Sequence, residues 1–366
     1  MRRIWADNLR CIVVLLVVIY HCFYIFNSVG VFGGLGPFNE KQPVDMIEYA
    51  LYPWFMALLF LLAGISAKWS LDKRSSKEFF RGRSLKLLVP STLGLFVLYW
   101  IVGYFNAIAG GGIEGLQELP GLVRYLIFAV SGIGPLWFIQ LLWLYSLILI
   151  SIRALDKEGK FNYLVSRAFG SNVAVFVIVL FFGAFCYAGT ILTNYEAPLM
   201  GLYRIPFYIV PFLFGYFFFS SDAFLERLRA FGPYGLGLFL LMAVLYTLRW
   251  YPECYTSPVV QEHWTTVVFA SLGSVCLLSA ALRYLDRPIP FLSSFLVPRS
   301  YGIYLLHYLP LVVFAYYMKQ FTDLSPEQIY PILLVSVPIV SIALYDVLRH
   351  IPVVRWLVLG MKKSSK

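Results

Sequence analysis

The chain has 366 residues, 60% of them hydrophobic and 13% charged, with a mean hydropathy of +0.76. Soluble domains carry about 25% charged residues, so this composition excludes a water-facing fold, and the 18% aromatic share suits rims that meet lipid headgroups. In so apolar a chain the net charge of +10 reads as cytoplasmic loop charge, not as a nucleic-acid-binding patch.

Apolar runs able to cross about 30 Å of hydrocarbon as helix lie near 9–27, 49–67, 87–106, 136–152, 173–192, 205–220, 235–250, 264–282, 301–319 and 331–348. The start Met1-Arg2-Arg3 is basic like a secretory signal. However, Asp7 and Arg10 lead into the run and no small-x-small cleavage site follows it, so a retained first helix is expected. Ten spans put both ends on one side. With the N-terminus inside, 24 of the 29 Lys and Arg fall on inward segments; Lys41, Arg124, Arg204, Arg249 and Lys319 face out. The expected fold is a single all-α integral-membrane domain over 1–366, a bundle of about ten transmembrane helices with both termini cytoplasmic. A bacterial-type cytoplasmic membrane is the expected location.

Between the spans, the outward segments 28–48 and 107–135 have room for re-entrant or interfacial pieces, because Gly36-Pro37 and Pro120-Gly121 break a helix. Gly110-Gly111-Gly112-Ile113-Glu114-Gly115 has no preceding strand and reads as loop, not as a phosphate cradle. No internal repeat of the kind found in many transporters is visible. The five Cys form neither a disulfide framework nor a metal pattern and read as small apolar side chains; no metal is expected. Nothing in the sequence specifies an oligomeric state.

Ionisable groups inside spans are expensive and are functional candidates for that reason. His21 follows Arg10 by eleven residues, almost three helical turns, so both point the same way about 16 Å apart. Asp7 shares that face. An Arg at the inner rim can hold a phosphorylated ligand, and a buried neutral imidazole can act as a general base. The competing structural reading is a snorkelling Arg and a His bonded between helices. In the ninth span Ser300, Tyr304 and His307 fall at i, i+4 and i+7, a hydroxyl, a phenol and an imidazole on one face. Arg81, Arg83 and Lys86 crowd the mouth of the third span, where a topology signal or phosphate binding are both open. His263 and His350 read as rim residues, and Tyr195, Trp250, Tyr251 and Trp264 as sugar-stacking groups or rim anchors.

These segments together resemble the acyltransferase-3 family of integral-membrane acyltransferases over nearly the whole chain. Asp7-x-Leu9-Arg10 with His21 resembles its Arg-x10-His signature, and Pro53-Trp54-Phe55-Met56 with Phe60-Leu61-Leu62-Ala63-Gly64 its second-helix pattern. Arg81, Arg83 and Lys86 before Leu88-Val89-Pro90 resemble its basic motif, here with a Gly between the Args. Pro135-Leu136-Trp137-Phe138-Ile139 and Ser300-Tyr301-Gly302-Ile303-Tyr304-Leu305-Leu306-His307 are similar to two further motifs.

The resemblance implies acyl-CoA, acetyl-CoA first, as donor substrate, with no permanently bound cofactor. It places Arg10, Arg81, Arg83 and Lys86 near the donor phosphates and His21 as the catalytic imidazole. Asp7, Ser300, Tyr301, Tyr304 and Trp137 support the site, and His307 orients the acceptor or serves as a second base. The implied acceptor is an extracytoplasmic glycan or lipid-linked sugar. Family members with an added C-terminal hydrolase-like domain are not matched, since the chain ends at Lys366, so the membrane domain completes the transfer or hands the acyl group to a partner. Cys22, about 100° from His21 around the helix, is not expected to carry the acyl group. The alternative is a transporter of a lipid-linked sugar or small anion. Were the acyl group succinyl, Arg204 or Arg249 would be candidate cations for its tail.

Overall fold

A chain immersed in lipid must pair its backbone N–H and C=O groups internally, which leaves helices or a closed barrel. The computed structural model takes the first route: it is 82% helical, with no strand among the described residues. Those residues are 3–29, 35–36, 42–155, 171–195, 197, 201 and 203–362. Pro37 and Lys41, named above, lie outside them, as does most of the segment 153–167, one of those read from its charge as inward.

The helices are α1 (Ile4–Tyr24), α2 (Met46–Leu71), α3 (Ser76–Ala109), α4 (Gly121–Ser131), α5 (Trp137–Leu155), α6 (Asn172–Ile191), α7 (Ile205–Phe217), α8 (Asp222–Arg229), α9 (Gly232–Trp250), α10 (Trp264–Tyr284), α11 (Ser300–Leu306), α12 (Tyr308–Phe321), α13 (Pro326–Leu348) and α14 (Pro352–Leu359). Among the described residues eight stretches are long and apolar enough to cross a membrane. Ten spans result when α7 with α8, bent by 103°, and Leu292–Leu306 with α12, bent by 58°, each count as one.

Two sequence expectations change and one takes definite form. The basic stretch before Leu88 is helical from Ser76, continuous with the third span; Lys and Arg are good helix formers, so charge ended the apolar run without ending the helix. The segment 107–135, where a re-entrant or interfacial piece had room, holds the short apolar helix α4. Trp250 and Arg204, read as outward loop residues, are both buried, whereas Trp264 is 61% exposed.

The helices group into two compact units. The first comprises Met1–Val13, Tyr49–Arg81 and Leu141–Val297. In it α9 packs on α10, and α6 packs on α7 and α10. The second comprises Val14–Glu48, Gly82–Gln140 and Pro298–Lys366. In it α4 packs on the end of α3, α14 on the middle of α3, and α13 on α11 and α12.

Prolines and π-turns shape the second unit. Helix α3 widens into π-turns at Ser84–Leu88 and Leu95–Tyr99. Pro90 has no N–H to return to the Lys86 carbonyl, and the Tyr301 hydroxyl donates to that carbonyl instead. In the second π-turn the Phe96 carbonyl accepts from the Tyr125 hydroxyl. Phenols thus satisfy acceptors that the irregular helix releases, as a low-dielectric interior demands.

Candidate active site

In the second unit, His21 occupies the last turn of α1, half-buried. Its Nδ1 lies 2.8 Å from the Val17 carbonyl oxygen, one turn back, and 3.2 Å from Nε2 of His307. The two rings are 5.0 Å apart between centroids. His307 is fully buried and sits where α11 ends and α12 begins.

Pro310 explains that break. It has no N–H for the Leu306 carbonyl, and its ring crowds that oxygen, so the axis turns just before it. The last carbonyls of α11 then need donors, and His307 supplies one. Its Nδ1 lies 2.8 Å from the Tyr304 oxygen and 3.2 Å from the Ile303 oxygen.

These contacts fix the protons. Carbonyl oxygens only accept, so His307 Nδ1 carries hydrogen, and in the neutral ring Nε2 presents a lone pair. His21 Nδ1 faces that lone pair and the Val17 carbonyl, two acceptors, so it also carries hydrogen. His21 Nε2 is therefore the unprotonated nitrogen, on the ring that keeps some exposure. Such an arrangement gives a base held in one tautomer by a second group.

Aromatic rings enclose the pair. Tyr308 and Tyr24 stand edge-on to His21 at 5.2 and 5.7 Å, and Tyr20 packs at 5.0 Å. Gly134, at a φ of 41°, leaves room for Tyr308: a Cβ there would sit 3.3 Å from Cδ1 of that ring. Tyr304 is buried, its ring 6.0 Å from that of His307, and its hydroxyl donates to the Pro135 carbonyl. Phe138 packs on Tyr304 at 5.5 Å, and Trp137, half-buried, opens α5 against Phe138 at 6.4 Å. Ser300 is buried in the first turn of α11. The stripe expected from periodicity thus becomes a scaffold: the phenols of Tyr301 and Tyr304 anchor neighbouring backbone, and His307 alone of that face touches His21.

The first unit holds Arg10. Its Nη1 lies 3.2 Å from an Asp7 carboxylate oxygen, and its Nη2 donates to Ser66 Oγ at 2.7 Å. Ser66 in turn donates to the Leu62 carbonyl at 2.8 Å. Arg81, in the first unit, and Lys86, in the second, are exposed; Arg83, in the second, is half-buried. At the Arg3 end of the first unit a cavity of about 520 Å³ is lined by Arg3, Trp69, Lys73 and the acidic Asp72, Asp222 and Asp286, among others. No residue assigned from the sequence lines it, and its acidic groups disfavour a polyphosphate.

Sequence reasoning missed Ser66, Tyr24, Tyr308 and the direct contact of the two imidazoles. Pro310 was the available signal for the break; a partner 286 residues away has none in local spacing. Among the described residues no group of three His, Cys, Asp or Glu is placed to hold a metal ion. In comparison with known proteins, the model of a family described as an acyltransferase domain matches residues 3–346. No curated protein and no solved structure matches the chain.

Proposed function

The chain belongs to the acyltransferase-3 family, and from that premise we propose that it is a membrane O-acyltransferase using cytoplasmic acyl-CoA, with acetyl the first candidate group. The acceptor is a hydroxyl on an extracytoplasmic glycan or lipid-linked sugar. The observation that carries this reading is the His21–His307 pair, with His21 Nε2 left as the free base.

His21 Nε2 takes the proton of the acceptor hydroxyl as its oxygen attacks the thioester carbonyl. The C–S bond breaks, an ester forms, and the same Nε2–H returns its proton to the departing thiolate as free CoA. His307 Nε2 continues to accept from His21 Nδ1 while His21 is charged, so it acts as a positioning residue and not as a second base. Arg10, with Arg81, Arg83 and Lys86, is assigned to the donor phosphates on the family resemblance, and Arg10 is already oriented by Asp7 and Ser66.

The test is CoA release from labelled acetyl-CoA by the purified protein in lipid vesicles, with and without a soluble glycan extract. Acceptor-dependent release of CoA is expected. The bent helix at His307 also suits a transporter, whose broken helices place binding groups at mid-membrane. A transporter would move solute and leave the thioester intact, and that result would overturn the proposal.

The role of His307 has its own signature. His307→Gln keeps an oxygen able to accept from His21 Nδ1, so it should retain at least tenfold more kcat than His307→Ala. The KM for acetyl-CoA should stay within about twofold in both. Equal losses in the two variants would reduce His307 to packing.

A further inference from the structure

Among the described residues Arg204 is the one fully buried Lys or Arg, 2% exposed. It lies in the first unit immediately before α7, with left-handed backbone at φ 45° and ψ 46°. Three rings surround the guanidinium carbon: Phe207 at 4.2 Å, Tyr208 at 5.5 Å and Tyr195 at 5.8 Å. Tyr52 on α2 and Tyr246 on α9 are within electrostatic reach. The floor is rigid, because α6 and α7 touch at Gly189: a Cβ there would meet the Pro206 oxygen at 2.5 Å.

Among the described residues no counter-charge stands in this box. Arg204 Nε and Nη2 and the Tyr195 hydroxyl make no hydrogen bond of good geometry to any described residue, although the Tyr195 and Tyr208 phenols approach the guanidinium within loose hydrogen-bonding reach. No carboxylate of a described residue lies within salt-bridge distance. Burying a guanidinium in a membrane protein without an anion is costly, and aromatic faces offset only part of it. Nε–H and one N–H of Nη2 are the parallel pair along one edge of the guanidinium, the edge that grips two oxygens of a carboxylate or phosphate. The positive end of the α7 dipole falls at the same place.

We propose that the Arg204 box binds an oxyanion, a carboxylate or phosphate group, through Nε and Nη2 with the Tyr195 hydroxyl as a third donor. Tyr52 precedes Ser66 by 14 residues on α2, about 21 Å along the axis. The box therefore lies toward the end of this unit opposite the Arg10–Ser66 pair. With Arg10 at the donor side, this is the side from which the acceptor enters, and the anion belongs to an acidic acceptor such as a uronate or sugar phosphate. That identification of the ligand rests on the acyltransferase reading; the anion site itself does not.

The experiment measures thermal unfolding of the full-length protein in phosphatidylcholine nanodiscs, titrated with glucuronate, inorganic phosphate or glucose. Glucuronate or phosphate should raise the midpoint saturably and glucose should not. Arg204→Gln should abolish the response, and Tyr195→Phe, which adds no buried charge, should weaken it several-fold. Arg204→Lys keeps the charge but loses the two-pronged edge, and should bind about tenfold more weakly. A rise produced by phosphatidylglycerol in the nanodisc and by neither soluble anion would keep the oxyanion chemistry and identify a lipid headgroup as its source. An equal response in wild type and Arg204→Gln, or none in wild type to any oxyanion, overturns the proposal. So does a Glu196→Gln variant as destabilised as Arg204→Gln, which would identify an internal ion pair; Glu196 lies outside the described residues. Anion binding without thioester consumption would sink the acyltransferase reading while leaving this site standing.

Discussion

Exchanging His21 for Ala is expected to lower CoA release by about 10²–10⁴-fold, the usual worth of a positioned general base, while the protein still purifies as a folded species. The expectation follows from proton placement. In wild type, His307 Nδ1 is committed to carbonyls at the end of α11, and its Nε2 is a lone pair facing His21. Removing His21 leaves that lone pair with no ring to orient and leaves the acceptor hydroxyl with no base. His307 cannot take over, because it is fully buried behind His21. The fold should survive, since His21 is half-buried and its ring meets backbone only within its own helix. Cys22→Ala is the matching control. That thiol is buried and lies about a quarter-turn away on α1, so full activity is expected. Unchanged release in His21→Ala would remove α1 from the chemistry, and lost release in Cys22→Ala would move the acyl group onto a thiol.

The parts legible in the sequence were those set by local composition. An imidazole in an otherwise apolar run stands out at His21, and the charge asymmetry of the loops carried the count of spans to ten, matched when each bent pair is taken as one. Hidden were the features that depend on backbone groups released far away. Ideal helical periodicity put Ser300, Tyr304 and His307 on one working face. The helix breaks before Pro310, and the phenols of Tyr301 and Tyr304 go to the carbonyls of Lys86 and Pro135. The burial of Arg204 was hidden for a similar reason. Its neighbours in sequence read as an outward connection, and only the meeting of α2, α6, α7 and α9 turns its side chain into a buried one.

Gly64→Leu is expected to remove most folded protein, because α2 and α7 touch backbone to backbone at that point. A Cβ on Gly64 would lie 1.9 Å from the Phe212 oxygen, and one on Gly215 would lie 2.2 Å from the Leu61 oxygen. The two glycines face each other across one crossing, the arrangement by which helices in lipid gain close packing when no hydrophobic drive exists between them. Neither obstructing atom is a side chain that can swing aside. Even Ala at 64 must open the crossing by about 1.5 Å to reach the 3.4 Å of an ordinary contact, and overpacking of this kind costs about 1–3 kcal/mol. Leu adds three more heavy atoms at the same place. Gly82→Ala is the control, since nothing lies within 4 Å of the added Cβ there, and a better helix former should be neutral or slightly stabilising. Size-exclusion recovery and unfolding temperature check both. The crossing also bears on chemistry, because Ser66, two residues beyond Gly64, holds the Arg10 guanidinium at 2.7 Å. Folded Gly64→Ala should therefore show a raised KM for acetyl-CoA with kcat less affected. A normal KM in that variant would mean that Ser66 does not set the donor end, and that Arg10 finds its position through Asp7 alone.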